Sequence, residues 1–315
     1  MKNLRTVLIT GATSGIGLSL ALQYAQPGTT LVLHGRDDAM LDAVAAACRQ
    51  QGATTKTLLH DLGDHVGWME KLAHHCATTP VDLALVNAGV AHTSVHGIEP
   101  WEDVQHMLDV NLRAAMATVT VLAAAMCQRG SGQIALVSSL AAYVGLPLTP
   151  AYCASKAGLK AYGEAMRGRL APYGVGVCVV MPGFVKTGMS DRFAAAKPSM
   201  VSSEWAARRI QRGLLRNPAR LASPFRNRWR WACGACRCCR RPGRSSFWGA
   251  WDTQRLPQQH LVQRLIDLSV VQALGDAAGS RIDRGLVVHA ATHMQRGRQL
   301  AQPGIDQYCV RGLRL

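Results

Sequence analysis

A tyrosine and a lysine four residues apart are the side chains best placed to do chemistry in this sequence. Tyr152 and Lys156 lie in the segment YCASK, and residues i and i+4 share one face of a helix. A phenol with a pKa of about 10 is a poor base at neutral pH. A close ammonium group favours the phenolate and lowers that pKa. Tyr152 can then donate a proton to a carbonyl oxygen or remove one from a hydroxyl group.

A serine hydroxyl precedes this pair by thirteen residues. Ser139 follows the apolar run IALV, which is typical of a strand, with Ser138 beside it. Successive side chains of a strand point to opposite faces, so the two hydroxyls do not share a site. A hydroxyl at the carboxyl end of a strand can polarise a carbonyl group and stabilise the charge that develops on its oxygen.

A glycine-rich turn near the start of the chain predicts a phosphate-binding site. The segment TGATSGIG runs from Thr10 to Gly17, follows a strand-like run and opens a helical one. Glycines let the backbone approach a pyrophosphate closely, and a helix N-terminus offers N–H groups and partial positive charge. The predicted dinucleotide contacts in this turn are Gly11, Thr13, Ser14, Gly15, Ile16 and Gly17.

Alternating strand and helix patterns position these residues, and they predict an α/β fold. The predicted strands are Thr6–Thr10, Thr30–His34, Thr54–His60, Leu83–Asn87, Gln133–Ser138 and Val175–Met181. The predicted helices are Ile16–Ala25, Ala39–Gln50, Val66–Cys76, Trp101–Cys127, Ala154–Tyr173 and Ser203–Arg216. Runs such as LALV and CVVM are apolar at successive positions, which is typical of strands covered on both faces. A doubly wound, Rossmann-like parallel sheet follows as the expected architecture.

The end of the second predicted strand favours NADP over NAD. An NAD-selective site places an acidic side chain there to bind the ribose 2′-hydroxyl, but this chain has Gly35 followed by Arg36. A guanidinium group can bind the 2′-phosphate of NADP through paired hydrogen bonds. The alternative is that Arg36 is a solvated surface residue. Asp37 and Asp38 fit the N-cap and first turn of the next helix.

These motifs together resemble the classical short-chain dehydrogenase/reductase family. The turn matches its T-G-x-x-x-G-I-G pattern, and the Ser-x12-Tyr-x3-Lys spacing of the family selects Ser139, Tyr152 and Lys156. The resemblance implies a sheet usually of seven strands in a homodimer or homotetramer. It also implies that Asn111 is a fourth catalytic residue whose side chain holds a water in a proton relay, and that Lys156 holds the nicotinamide ribose.

Further cofactor contacts are implied by the same resemblance. Asp61 and Leu62 match the adenine-binding pair, and the Asn87-Ala88-Gly89 element passes the adenosine ribose. Around the nicotinamide, with Tyr152 and Lys156, the implied contacts are Pro182, Gly183, Val185 and Thr187. The segment Gly188–Ala207 is the expected specificity region. Its Ala, Met, Phe and Trp content favours an apolar carbonyl or alcohol.

The expected activity is hydride transfer between NADP(H) and a carbonyl or alcohol, with Tyr152 as general acid/base. The substrate is not specified by the sequence. The alternative is a protein that binds NADP without turnover, either a sensor or an enzyme disabled by its C-terminal segment. No signal sequence is expected, because a strand pattern begins at Leu4. The longest apolar stretch, Ala117–Cys127, is shorter than a membrane span. The expectation is a cytoplasmic protein that binds small molecules and no nucleic acid.

The last part of the chain departs from this pattern. We place the catalytic domain at residues 1–224, with Ala219–Pro224 as a candidate seventh strand, and an Arg-, Cys- and Trp-rich tail at residues 225–315. The net charge is +16 overall, yet the final 97 residues hold sixteen Arg and no Lys or Glu. The tail is open to three interpretations: a translated frameshift, a loosely ordered appendage or a second domain.

Two other functions were weighed for the tail and are disfavoured. The basic and aromatic run Arg226–Arg244 could contact nucleic acid, but no recognised nucleic-acid module surrounds it. The four cysteines Cys233, Cys236, Cys238 and Cys239 begin with a zinc-like C-x-x-C pair. A second pair at the separation of structural zinc sites does not follow, so no metal is expected.

Overall fold

Six parallel strands form one twisted sheet in the computed structural model. The structure describes residues 5–94, 98–191, 197 and 199–216. The strands are β1 (Thr6–Ile9), β2 (Thr30–Gly35), β3 (Thr54–Leu59), β4 (Leu83–Val86), β5 (Gly132–Val137) and β6 (Val175–Val180). Their order across the sheet is β3-β2-β1-β4-β5-β6. The predicted doubly wound, Rossmann-like fold is thus confirmed for the described part of the chain.

Helices cover both faces of this sheet. They are α1 (Gly15–Tyr24), α2 (Asp38–Gln50), α3 (His65–Thr78), α4 (Trp101–Leu108), α5 (Ala114–Arg129), α6 (Pro150–Leu170), α7 (Gly188–Asp191) and α8 (Ser203–Arg216). One core lies between the sheet and α1, α2 and α8, and the other between the sheet and α3, α5 and α6. Both faces are buried, which explains the strands' successive apolar residues.

The strand β1 shows this burial directly. Val7, Leu8 and Ile9 are all fully buried. Val7 and Ile9 belong to the first core and Leu8 to the second, as the alternation of a strand requires.

The longest predicted helix differs from the observed one in two ways. It is interrupted by a π-helical turn, Asp109–Arg113, between α4 and α5. It also reaches Arg129, two residues beyond the predicted end, where Gly130 takes up the left-handed conformation. A π turn is common at functional sites because it shifts the register of the residues it contains, and this one contains Asn111.

The same helical stretch bears on the expected absence of a membrane span. Trp101–Arg129, 29 residues, is long and apolar enough to cross a membrane by length and composition alone. In this structure 56% of its most apolar window is buried, because α5 packs between the sheet and α3. The apolar character is therefore explained by the core that α5 helps to form.

Helix α6 begins earlier than predicted. Pro150 occupies its first turn, where a missing N–H costs no hydrogen bond. Tyr152 therefore lies inside the first turn of the helix, and Lys156 follows one turn later on the same face. The predicted boundary at residue 224, the candidate seventh strand and the tail with its cysteines lie outside the described residues.

Candidate active site

The active-site candidates gather where the sheet order reverses, between β1 and β4. The order leaves a crevice at the carboxyl ends of these strands, where ligands bind in open α/β sheets. The turn after β1, the loop after β4 and the residues after β5 and β6 all start at this edge. The topology thus brings together motifs that are far apart in the sequence.

The turn after β1 depends on glycine at two positions. Gly11 has φ of 65° and Gly15 has φ of 53°, both in the left-handed region that glycine favours. A Cβ at Gly11 would lie 2.9 Å from Cα of Ala88 in the loop after β4. A Cβ at Gly15 would lie 2.9 Å from Cγ2 of Thr187 in the loop after β6. The glycines therefore allow three loops to close around the predicted phosphate site.

The N-terminus of α1 faces this turn. Ser14 is the N-cap and makes no side-chain capping bond. The adjacent Thr13 packs through Cγ2 against Gly35, where a Cβ would lie only 2.7 Å away. Ile16 packs against Val185 and Ala206, which anchors the start of α1 to the loop after β6. First-turn N–H groups without a capping side chain suit an anion such as a pyrophosphate.

The side chain of Asn87 hydrogen-bonds to the backbone of the phosphate turn. Its Nδ2 donates to the carbonyl oxygens of Thr10 and Gly11 at 3.1 and 3.2 Å. The backbone N–H groups of Asn87 and Ala88 both donate to Oγ1 of Thr10, at 3.0 and 3.1 Å. The predicted cofactor contact of Asn87 stays a prediction, and its observed contacts hold the loop after β4 against the phosphate turn.

The predicted adenosine-binding residues follow β2 and β3. Arg36 is exposed after β2, and Asp37 caps α2 by accepting from the N–H of Met40 at 2.9 Å. Asp61 is exposed after β3 and accepts from the N–H of Gly63 at 2.9 Å. Leu62 is buried in the second core, so only its backbone remains for an adenine ring.

Tyr152, Ser139 and Lys156 come together at the carboxyl end of β5. The Ser139 hydroxyl lies close enough to the Tyr152 phenol to lower the pKa of that phenol by hydrogen bonding. It also accepts from the N–H of Ala141 at 3.1 Å. Nζ of Lys156 lies 5.7 Å from the centre of the Tyr152 ring. It donates to the carbonyl oxygen of Val137 at 3.0 Å. An ammonium group has three donors, so this bond leaves capacity for a ligand hydroxyl.

Burial controls the protonation of this pair. It raises the pKa of the Tyr152 phenol, and the hydrogen bond to Ser139 acts in the opposite direction. It lowers the pKa of the Lys156 ammonium to about 8. The sequence predicts a phenol pKa lowered by the ammonium together with a bound, positive nicotinamide. The protein groups alone raise it, because burial disfavours the phenolate. At neutral pH the protein therefore presents a protonated phenol beside an ammonium group.

Asn111 is fully buried in the π-helical turn and connects two parts of the site. Its Oδ1 accepts from the N–H of Val90 at 2.7 Å, and its Nδ2 donates to the Val90 carbonyl at 2.9 Å. The same Nδ2 donates to Oγ of Ser155 at 3.1 Å. A Cβ at Gly89 would lie 3.0 Å from Oδ1 of Asn111 and 3.3 Å from Nζ of Lys156. The side chain thus lies at the lysine, and the expected water relay stays a prediction.

Three polar residues that sequence reasoning did not assign hold helix α6 in place. Ser155 Oγ donates to the Tyr152 carbonyl at 2.8 Å, and Ser138 Oγ donates to the Lys156 carbonyl at 2.7 Å. Glu99 Oε2 accepts from the N–H of Ala151 at 2.9 Å, at the start of α6. The two serines lie in the quoted motifs. Glu99 gave no signal, because it lies 52 residues before its partner.

The loop after β6 lies against both the predicted phosphate turn and Ser139. The carbonyl of Pro182, which precedes Gly183, accepts from the N–H of Leu140 at 2.9 Å. Val185 is buried and bridges to Val201. The Thr187 hydroxyl accepts from the N–H of Ser190 at 3.3 Å and so caps α7. These contacts place the predicted nicotinamide loop next to Ser139.

The chain's own residues fit a dinucleotide along this edge. The positive-φ glycines and the uncapped start of α1 suit its phosphates, and exposed Arg36 suits a 2′-phosphate. At the opposite end, Lys156 and Tyr152 provide an ammonium and a phenol. These features indicate an α/β protein with a candidate dinucleotide site beside a Ser-Tyr-Lys group.

Comparison with known proteins assigns the family. The model of the short chain dehydrogenase family matches residues 5–198. An uncharacterized oxidoreductase of Myxococcus xanthus is 33% identical over 222 residues, which cover 70% of this chain and 88% of the relative. The chain belongs to the short-chain dehydrogenase family and is an oxidoreductase.

Solved structures agree on the fold. A short-chain dehydrogenase from Sphingobium yanoikuyae in complex with NADPH superposes with a TM-score of 0.64 at 22% identity, over 89% of this chain and all of that one. An NAD+-bound xylitol dehydrogenase gives a TM-score of 0.56 at 26% identity, over 59% of this chain and 72% of that one. These structures share the fold of this chain, and the similar structures include one with NADPH and one with NAD+ bound.

Proposed function

We propose that this protein transfers a hydride between NADP(H) and a carbonyl or alcohol substrate, with Tyr152 as the general acid/base. The observation that supports this most directly is the meeting of Tyr152, Ser139 and Lys156 at the carboxyl edge of the sheet. A phenol and a serine hydroxyl side by side can each donate one hydrogen bond to the same carbonyl oxygen. That arrangement stabilises the oxyanion and supplies its proton.

Carbonyl reduction is the direction that the free protein favours. When bound, the nicotinamide ring supplies the hydride. Because burial raises the pKa of Tyr152, its hydroxyl stays protonated at neutral pH and can donate to the substrate oxygen. Ser139 orients that oxygen, and the Lys156 ammonium stabilises the phenolate left behind. Asn111, beside Lys156, would hold a water that links the lysine to solvent in a proton relay.

NADP is the proposed cofactor because of the residues that follow β2. Arg36 is exposed there, while the acidic Asp37 is engaged as the N-cap of α2. Gly35 carries no side chain that would bind a free ribose 2′-hydroxyl. A guanidinium at this position favours the doubly charged 2′-phosphate.

An apolar carbonyl compound is the proposed substrate class. Three large apolar side chains of the specificity region are 36–41% exposed: Met189, Met200 and Trp205. Met is adaptable and Trp offers a broad apolar surface, so together they suit a bulky apolar ligand. We propose that the protein acts in the cytoplasm as a homodimer or homotetramer, which light scattering on the purified protein would test.

The deciding experiment is NADPH and NADH oxidation against a panel of aldehydes, ketones and quinones. Tyr152→Phe should lower kcat by about 10²–10⁴-fold while NADPH still binds, because it removes only the proton donor. Tyr173→Phe changes an exposed tyrosine and serves as the matched control.

Each outcome separates the candidate functions. Turnover that Tyr152→Phe abolishes and Tyr173→Phe retains supports the reductase. NADPH binding without turnover on any compound would favour a sensor or an enzyme disabled by its tail. Equal turnover by Tyr152→Phe and wild type would exclude Tyr152 as the general acid.

A further inference from the structure

His34 holds two successive backbone amides of the phosphate turn. Its Nδ1 accepts from the N–H of Gly11 at 3.2 Å, and its carbonyl oxygen accepts from the N–H of Ala12 at 2.9 Å. The residue is the last but one of β2 and is directly followed by Gly35 and Arg36. One side chain and one carbonyl thus connect the phosphate turn to the predicted 2′-phosphate site.

The other ring nitrogen reaches the loop after β3. Nε2 of His34 donates to the carbonyl oxygen of His60 at 3.1 Å, and the N–H of His60 donates to Gly35 at 3.0 Å. Asp61, the predicted adenine contact, is the next residue. The imidazole therefore lies at the junction of the three segments that the proposed function assigns to the adenosine half of NADP.

The ring is fixed in one orientation and one protonation state. His34 is 3% exposed and meets Trp68 edge-on, with ring centres 4.6 Å apart. An accepting Nδ1 and a donating Nε2 define a neutral imidazole. Burial lowers the pKa of His34 to about 4, although the hydrogen bond to His60 opposes this. Of the titratable side chains nearby, His60 and Lys71 lower this pKa and Asp61 raises it.

We propose that His34 is a positioning residue that sets the spacing between the phosphate turn, Arg36 and Asp61, and so determines affinity for the adenosine 2′-phosphate half of the cofactor. The inference rests on the proposed function. An apolar side chain at this position would leave the part-buried N–H of Gly11 without its acceptor. The turn would then relax away from the conformation that binds the phosphates.

Calorimetric titration of the full-length protein with NADP+ and with adenosine 2′,5′-bisphosphate tests this. His34→Leu should weaken both ligands by roughly ten- to a hundredfold, as expected for one lost buried hydrogen bond. His34→Asn should recover most of this affinity, because its amide oxygen can occupy the place of Nδ1. His75→Leu, at a buried histidine in α3, is the matched control and should bind as wild type does.

Four outcomes would overturn the inference, and one of them also removes the proposed function. If the wild-type protein binds neither ligand, the inference and the proposed function both fail. If the wild type binds, and the Kd values of His34→Leu lie within twofold of the wild-type values, His34 has no positioning role. Equal weakening by His75→Leu would mean general destabilisation. Equal weakening by a folded His34→Asn would show that the acceptor for Gly11 is irrelevant. If His34→Leu does not fold, the affinities of His34→Asn and His34→Gln are compared instead. The amide of Gln reaches the position of Nε2 and not that of Nδ1, so His34→Gln should still bind both ligands weakly.

Discussion

Burial gives Lys156 a charge that depends on pH in the range where enzymes are assayed. The residue is 4% exposed, and burial lowers the pKa of its ammonium group to about 8. The phenol of Tyr152 has a raised pKa and stays protonated over the same range. Of the two, the lysine is therefore the one that titrates near neutral pH.

Carbonyl reduction should lose rate as the pH rises through about 8, because the ammonium that stabilises the Tyr152 phenolate is then lost. A kcat profile at saturating NADPH measures this. The side chain of Lys156→Arg stays charged at these pH values. This variant should turn over more slowly, but its kcat should not change with pH over the same range. The same fall in both proteins would assign the ionisation to another group.

In the proposed function, the preference for NADP over NAD rests on one exposed residue, Arg36. Arg36→Ala should weaken NADPH by roughly 10–100-fold and leave NADH nearly unchanged, because charge-assisted hydrogen bonds to the 2′-phosphate are worth about 1.5–3 kcal/mol. Fluorescence titration with both nucleotides measures the ratio. Arg49→Ala, an arginine at the other end of α2, is the control. A parallel loss of both nucleotides would remove Arg36 from cofactor selection.

At the scale of elements, α6 is the helix on which the site depends. It carries Tyr152 and Lys156, and it packs on β5 and β6 through Gly163. A Cβ at Gly163 would run into Cγ2 of Val179 and lie 2.8 Å from Cδ1 of Leu136. The absence of a side chain there lets the helix approach the sheet closely.

Two glycines of α6 should respond to alanine in opposite directions. Gly163→Ala should lower the free energy of unfolding, because overpacking of a core typically costs about 1–3 kcal/mol. Gly168→Ala meets no atom within 4 Å and should stabilise by up to about 1 kcal/mol through helix propensity. Urea unfolding of both variants measures the difference. Stabilisation of similar size at both positions would contradict the close packing at Gly163.

The stability of the whole molecule should depend on the neutral imidazole of His34. Its pKa is lowered from 6.5 to about 4 by burial. Above pH 6.5 neither state is protonated, and the full stability is present. As the pH falls from about 6.5 to 4, the unfolded chain takes up a proton that the native state excludes. The native state thereby loses about 3 kcal/mol relative to the unfolded chain.

Denaturant unfolding at several pH values tests this expectation. Relative to wild type, His34→Asn should lose about 3 kcal/mol less on going from pH 7 to 4, because it cannot take up that proton. His75, whose pKa is also lowered by burial, contributes in the same direction in both proteins and cancels in the comparison. If the free energy of unfolding changes equally with pH in both proteins, protonation of His34 does not contribute to acid unfolding.

The sequence by itself determined the fold class and the identity of the chemical groups. Strands that are buried on both faces must be apolar at every position, and a helix must place Tyr152 and Lys156 on one face. These are local rules of period and spacing, so they can be read from the residues alone. The glycine turn, Ser139 and the N-cap role of Asp37 belong to the same kind of pattern, and the last was confirmed by the bond from Met40.

Only the tertiary structure decided how these groups behave. The π turn that buries Asn111, the cap that Glu99 provides for α6 and the bonds of His34 join residues far apart in the chain. The sign of the Tyr152 pKa shift also depends on burial, which is a property of the packed site. Hydrogen-bond partners and local polarity are set by what folds against a residue, and no local period in the sequence encodes them.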